Sequence, residues 1–293
     1  MPRISVTDLR AMKGRGDKIV MMTAYDCPTA RLVEEAGVDV ILVGDTLGMV
    51  VLGYDSTLPV TMEDMVHHTK AVVRGTSHAL VVGDLPFMSY QTGWQDAMKN
   101  AGRMMQETGC GAVKLEGGVR SAEIVRRIAE AGIPVMGHIG LTPQSVHQFG
   151  GFKLQGKTMA AAVQLMRDAQ ALEQAGAFAI VLETIPAPLA ELLTQRLGVP
   201  TIGIGAGVHC DGQVQVFHDL LGMFDAFVPK HAKRYAEAGA LIRDGVARYA
   251  ADVRSGAFPT AKQSFKMDAA ALAELRPEAA DAINRRHALG LDA

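Results

Sequence analysis

The stretch ALVVGDLPFMSYQTGWQDAMKNAGRMMQETGCGAVKLE, residues 79–116, reads as one strand, one helix and a second strand. Its two ends, ALVVGD and GAVKLE, are apolar runs of buried-strand length, and each stops on an acid. Between them Trp94, Ala97, Met98, Ala101, Met104 and Met105 fall at offsets 0, 3, 4, 7, 10 and 11, a single apolar stripe of helical period. Gly109 then stands where a helix ends in a left-handed residue. A strand that is apolar throughout, rather than alternating, belongs in a parallel sheet covered on its faces.

The same unit recurs in both directions along the chain. Strand-like apolar runs fall near 19–24, 38–45, 79–84, 111–116, 133–138, 178–183, 199–204 and 225–229, eight in all. A second helical stripe runs through Ala162, Leu165, Met166, Ala169 and Leu172. Other helices are expected to stop at Gly37, Gly132, Gly176 and Gly198, and Thr142-Pro143 reads as an N-cap followed by proline at the first helical position. A short helix over 7–12, capped by Ser5 or Thr7, precedes the first strand. Eight β/α units predict a (β/α)8 TIM barrel over residues 1–258, with a doubly wound open sheet as the alternative. The tail, 259–293, is expected to be a helical appendage broken near Pro277, not a separate domain.

Composition narrows the class. The chain has 293 residues, 48% hydrophobic and 20% charged, with a net charge of −2, an ordinary globular balance without the basic footprint of a nucleic-acid binder. No apolar run reaches the roughly 18 residues of a membrane span, and residues 1–18 lack the apolar core of a signal peptide. Cys27, Cys110 and Cys210 are odd in number and show no zinc spacing, so free thiols and a cytoplasmic location are expected.

Five runs end on ionisable groups: Asp45, Asp84, Glu116, His138 and Glu183. A parallel barrel gathers such ends on one rim, where active sites sit. Neighbouring strands lie about 4.8 Å apart, so Asp45, Asp84 and Glu116 can share one hard cation, and an all-oxygen set suits Mg2+. The alternative is that each acid caps the loop that follows it. Lys114, two residues before Glu116, points the same way, either to pair with the acids or to hold an anionic substrate. His138 reads as an acid, a base, a donor or a satisfied core histidine. Glu183 follows the apolar FAIVL and stands apart from the three acids, as a base of raised pKa or as a structural ion-pair member. The glycine-rich GIGAG, 203–207, lacks the lysine and spacing of a nucleotide loop, so close backbone approach is expected there.

Several strings, LVGDTLGMVVLGYDSTLPVT (42–61), DLPFMSY (84–90), VKLEGG (113–118), GHIGLTPQSVHQFGGFKLQG (137–156) and DGQVQVFHD (211–219), resemble the ketopantoate hydroxymethyltransferase family. The resemblance, from about residue 4 to 265, implies a TIM barrel of the phosphoenolpyruvate/pyruvate superfamily. It implies hydroxymethyl transfer from 5,10-methylenetetrahydrofolate to the keto acid 3-methyl-2-oxobutanoate, giving 2-dehydropantoate for pantothenate synthesis. Asp45, Asp84 and Glu116 are then the Mg2+ ligands, Asp45, Thr46, Asp84 and Lys114 the keto-acid contacts, and Glu183 the base. His138 is carried as a supporting substrate contact. A homo-oligomer, a decamer built as a pentamer of dimers, is implied as well. Thr46 stands where the family often has serine, and the tail beyond 266 has no counterpart in short members. The competing readings are a Mg2+-dependent C–C lyase of the same superfamily, which leans on a KKCGH-type loop absent here, and a non-catalytic barrel.

Overall fold

The computed structural model describes residues 2–224 and 228–275. The chain divides into two compact units, Met1–Gly239 and Ala240–Ala293. In the first, eight parallel strands close into a barrel in sequence order. They are β1 (Ile19–Thr23), β2 (Val40–Val43), β3 (Leu80–Asp84), β4 (Ala112–Glu116), β5 (Val135–Gly140), β6 (Ala179–Glu183), β7 (Thr201–Ile204) and β8 (Gly212–Gln215). Closure is direct: β8 pairs with β1, with Gly212 opposite Ile19 and Val214 opposite Met21.

The period-two rule sorts each strand into two faces. Val40 and Leu42, Leu80 and Val82, Ala112, Met136, Ala179, Val181 and Val214 fill the barrel interior. Their neighbours Ile41, Val43, Val81, Val113, Leu115, Val135, Ile180 and Leu182 face the helices in a separate outer layer. Both faces are dry, which is why these strands read as unbroken apolar runs. Extending the inner series in steps of two leads to Asp84, to Lys114 and then Glu116, to His138, and to Glu183. The barrel therefore turns its ionisable strand ends inward at the carboxyl rim.

The expected helices form with the expected contacts. Trp94–Thr108 buries Ala97, Ala101 and Met104 and ends on Gly109 at φ 75°. Trp94 itself is half exposed and lies beneath the Arg127 guanidinium, 5.3 Å from the ring centre. Met159–Gln174 buries Leu165, Ala169 and Leu172. The first helix runs longer than expected, Val6–Arg15, and Ser5 rather than Thr7 is its N-cap, with a reciprocal Ser5–Asp8 capping box.

One strand was misplaced by sequence. The eighth strand is Gly212–Gln215, not 225–229, and residues 225–227 lie outside the described residues. GQVQ alternates instead of being apolar throughout: Gln213 is exposed and Val214 is buried. The outward face of this short strand is wet, so it lacks the signature that located the other seven. The helix Ala238–Ser255 begins at the end of the first unit and carries the chain into the second, where a 3-10 turn covers Ala261–Gln263 and residues 269–275 are helical. The expected break near Pro277 lies outside the described residues. Among the described residues no helix is long and apolar enough to cross a membrane.

Candidate active site

The register of the barrel brings the strand-end groups together. Asp84 on β3 is opposite Lys114 on β4, and Glu116 on β4 is opposite His138 on β5. Gly140, at the end of β5, is opposite Glu183. The side chains follow. Lys114 Nζ lies 3.0 Å from Asp84 Oδ1 and 3.4 Å from His138 Nδ1. His138 Nδ1 is 3.6 Å from Glu116 Oε1, and its Nε2 is 3.2 Å from Glu183 Oε2. The backbone N–H of Asp45 donates to Asp84 Oδ2 at 3.0 Å. Asp45, Thr46, Asp84, Lys114, Glu116, His138 and Glu183 all line one cavity, walled on its apolar side by Val181, Ile204 and Val214.

Two residues not singled out in the sequence complete this arrangement. Gln144 sits in the turn after β5, behind Thr142 and Pro143. Its side-chain amide donates to Asp45 Oδ2 at 2.8 Å and to the Leu85 carbonyl at 3.0 Å. Its backbone N–H donates to Glu116 Oε2 at 3.1 Å. Tyr90 donates its hydroxyl proton to Gln144 Oε1 at 2.7 Å and accepts from the Glu116 N–H at 3.1 Å. Gln144 thus joins two of the three rim acids, and Tyr90 fixes which way its amide faces. Both residues lie within strings that carried the family resemblance, but a neutral glutamine and a loop tyrosine gave no chemical signal of their own.

The electrostatics are lopsided. Four carboxylates and one lysine line the cavity. Burial, followed by the charge of Asp84, pushes the Asp45 carboxyl up to about 7, although Lys114 and Gln144 oppose the shift. Burial and the charge of Asp45 push Glu116 well above the usual carboxylate range. Burial disfavours the Lys114 charge, but the charges of Asp84, Glu116 and Asp45 outweigh that and hold it protonated. Burial and the Lys114 charge lower the His138 pKa against the pull of Glu183, so the ring is neutral near pH 7. A protonated lysine can only donate, which makes Nδ1 of His138 the acceptor and leaves the ring proton on Nε2, toward Glu183.

The three rim acids offer hard oxygen donors and an unbalanced negative charge, which is the chemistry a divalent cation neutralises. Asp84 Oδ1 is buried and, although near Lys114, receives no aligned hydrogen bond. As the side chains stand, no three acid, histidine or cysteine groups among the described residues converge on one ion position.

Backbone devices set the far side of the cavity. A Cβ added at Gly140, where φ is +94°, would collide with the Glu183 carbonyl and come within 2.8 Å of Ile185. Only glycine lets β5 approach β6 this closely beside Glu183. Thr184, the next residue, holds φ at 49°, a strained conformation for a β-branched side chain. In GIGAG the close approach is to protein: a Cβ at Gly207 would stand 2.5 Å from Ala187 Cβ, at the start of the helix Ala187–Arg196. A second, largely apolar cavity opens next to the first and shares Thr46, Pro143, Glu183, Ile204 and Val216 with it.

The chain is similar to known proteins over most of its length. The family model described as ketopantoate hydroxymethyltransferase matches residues 3–261. A 3-methyl-2-oxobutanoate hydroxymethyltransferase of Dehalococcoides mccartyi is 60% identical over 274 residues, 94% of this chain and 98% of that relative. One from Carboxydothermus hydrogenoformans is 58% identical over 267 residues, 91% of this chain and 97% of the relative. Among solved structures, phosphoenolpyruvate phosphomutase of Streptomyces platensis subsp. rosaceus aligns with TM-score 0.58 at 16% identity, covering 97% of this chain and 99% of that one. A 2,3-dimethylmalate lyase, a PEP mutase/isocitrate lyase superfamily member, aligns with TM-score 0.54 at 14% identity, covering 98% of this chain and 100% of that one. These distant likenesses speak to the barrel alone.

Proposed function

The chain belongs to the ketopantoate hydroxymethyltransferase family, and from that premise we propose that it moves a hydroxymethyl unit from 5,10-methylenetetrahydrofolate to 3-methyl-2-oxobutanoate, with Mg2+ in the rim cavity. It is a hydroxymethyltransferase of the pantothenate pathway. The observation that carries the finer reading is the cavity itself: one protonated lysine among three buried acids, with the partly exposed Glu183 held apart from them on β6.

Asp45, Asp84 and Glu116 would hold the ion, and the support for this is their oxygen chemistry and uncompensated charge. When bound, Mg2+ supplies Lewis-acid polarisation of the keto group. The other roles belong to the protein. Lys114 offers a fixed positive charge to the substrate carboxylate, and Thr46 a hydroxyl and a backbone N–H. Glu183 takes the proton from C3 of the keto acid, and the electron pair left on carbon forms the C–C bond to the donor's methylene carbon. Both C–N bonds of that carbon break with their electron pairs going to the folate nitrogens, and one water supplies the hydroxyl. The C3 proton and the water's remaining proton end on the two nitrogens of tetrahydrofolate. His138, neutral and with its proton on Nε2, lies 3.2 Å from Glu183 Oε2 without an aligned hydrogen bond, and its ring limits the room in which that carboxylate can turn. Val181, Ile204 and Val214 keep the deprotonated carbon away from water. A homo-oligomer, taken as a pentamer of dimers, goes with this reading. Its support is the apolar stripe Leu241, Ile242, Val246, Tyr249 and Val253, all exposed on the helix ending at Ser255.

Product analysis tests the reading. Purified protein with Mg2+, 3-methyl-2-oxobutanoate and the folate donor should yield 2-dehydropantoate, with loss of product when the metal is chelated. Release of a two-carbon or three-carbon acid instead would favour lyase chemistry and overturn it.

A further inference from the structure

The cavity beside the acid cluster has a chemistry of its own. Met49, Val50, Leu141, Phe152 and Val216 make it an apolar slot, with Glu183 at the end it shares with the keto-acid cavity. Set into this apolar wall is one carboxylate, Asp219, on the short helix Phe217–Leu220 that follows β8. Asp219 is only 7% exposed, and no hydrogen-bond donor among the described residues meets its side chain, on which the charge of Arg234 acts. A buried carboxylate without donors is costly unless something arrives to supply them. At the rim of the same cavity Lys230 is exposed, and none of the described acids pairs with it.

An apolar slot with a carboxylate in its wall and a cation at its rim favours one class of ligand. Such a ligand is largely apolar, carries N–H donors for the carboxylate and ends in an anionic group. The 2-amino-4-oxopyrimidine edge of a pterin supplies two such donors, which match the two oxygens of one carboxylate. Resting on the functional reading above, we infer that Asp219 receives the pyrimidine edge of the folate donor, which lies along the Met49–Phe152 slot with its carbon unit toward Glu183 and its glutamate tail toward Lys230. Asp219 is then a binding residue for the second substrate and touches neither the keto acid nor its proton. The placement also separates the two substrates: the charged cavity takes the keto acid, and the apolar slot takes the donor. Glu183 stands where the two cavities meet.

The isosteric Asp219→Asn tests this, because it keeps shape and removes one acceptor. In the variant the KM for 5,10-methylenetetrahydrofolate should rise on the order of 100-fold. The KM for 3-methyl-2-oxobutanoate, and C3 hydrogen exchange without the donor, should stay within about twofold, since neither reaction uses the slot. Binding of 6-methyltetrahydropterin should weaken in parallel, whereas binding of p-aminobenzoylglutamate, which lacks the pterin, should not. An unchanged donor KM would overturn the inference. So would loss of donor-free exchange, which would make Asp219 a structural counter-ion of Arg234. A wild-type protein inactive with this donor would instead remove the functional reading, and the inference with it.

Discussion

His138 Nε2 stands 3.2 Å from Glu183 Oε2, while Nδ1 of the same ring faces Lys114 Nζ at 3.4 Å. The imidazole is a spacer between the group that carries positive charge and the group assigned to take a proton. Sequence left its role open among acid, base, donor and core residue, and the register explains why one position touches both sides. His138 lies opposite Glu116 on one strand and beside the β6 end on the other. His138→Asn, too short to reach Glu183, should lower kcat on the order of 10- to 100-fold, with the keto-acid KM changed far less. Steady-state kinetics with keto acid varied reads both, and an unchanged kcat would remove His138 from the account.

Gln144 is the tie between Asp45 and Glu116. Gln144→Ala removes two donors and strands the Tyr90 hydroxyl, at a cost of about 1–3 kcal/mol. The expected result is a lower melting temperature together with weaker Mg2+ dependence, the half-saturating metal concentration rising on the order of 10-fold. Gln144→Glu keeps the size but sets a fifth acid among four, so it should fare worse than alanine in metal-free protein. Titration of activity and of thermal midpoint against Mg2+ checks both.

Gly140→Ala tests the backbone fit behind Glu183. The added methyl meets the Glu183 carbonyl, and the residue must keep a positive φ. The expected outcome is a loss of about 2 kcal/mol or more in unfolding free energy. Activity should fall further than stability explains, because the displaced strand carries the base. Denaturant unfolding beside kcat at saturating substrate separates the two effects.

Glu34 predicts an acid limit remote from chemistry. Its partial burial disfavours the charge, but the N–H groups of Ala79, His78 and Ser77 and the Ser77 hydroxyl outweigh that and bring its pKa down from 4.5 to about 2. The contribution is therefore complete above pH 4.5 and is lost as pH falls from 4.5 through about 2. Glu34→Gln should unfold about 2–4 °C lower at neutral pH, a cost of about 1 kcal/mol for an exposed-edge site. The gap between wild type and variant should close as pH is lowered through that window; a gap that persists at the acid end contradicts the assignment.

Much of this was legible in the residues, for physical reasons that differ by element. Six strands announced themselves because both faces are buried, as in Val40–Val43 and Val81–Val82, and β1 because its outward residues Val20 and Met22 are apolar although Val20 is exposed. The eighth, Gly212–Gln215, did not, because Gln213 faces water. Acids and a lysine at strand ends stood out because charge at the end of an apolar run is anomalous wherever it falls. Gln144 and Tyr90 were illegible because their importance lies in what they touch, 99 residues apart for Gln144 and Asp45, and no local pattern encodes that. Asp219 escaped notice for a similar reason: in FHDL it reads as an ordinary helix residue, and only the fold shows that its carboxylate is buried without a donor.

The central claim is that Glu183 removes the C3 proton of the keto acid within this cavity. Deuterium exchange at C3 of 3-methyl-2-oxobutanoate, followed by proton NMR in deuterated water with Mg2+ and no folate, measures that step alone. Wild-type protein should exchange the hydrogen, and Glu183→Gln should lose exchange by at least about 100-fold while binding the keto acid within a few-fold of wild type. Exchange at the wild-type rate in Glu183→Gln would contradict the assignment outright.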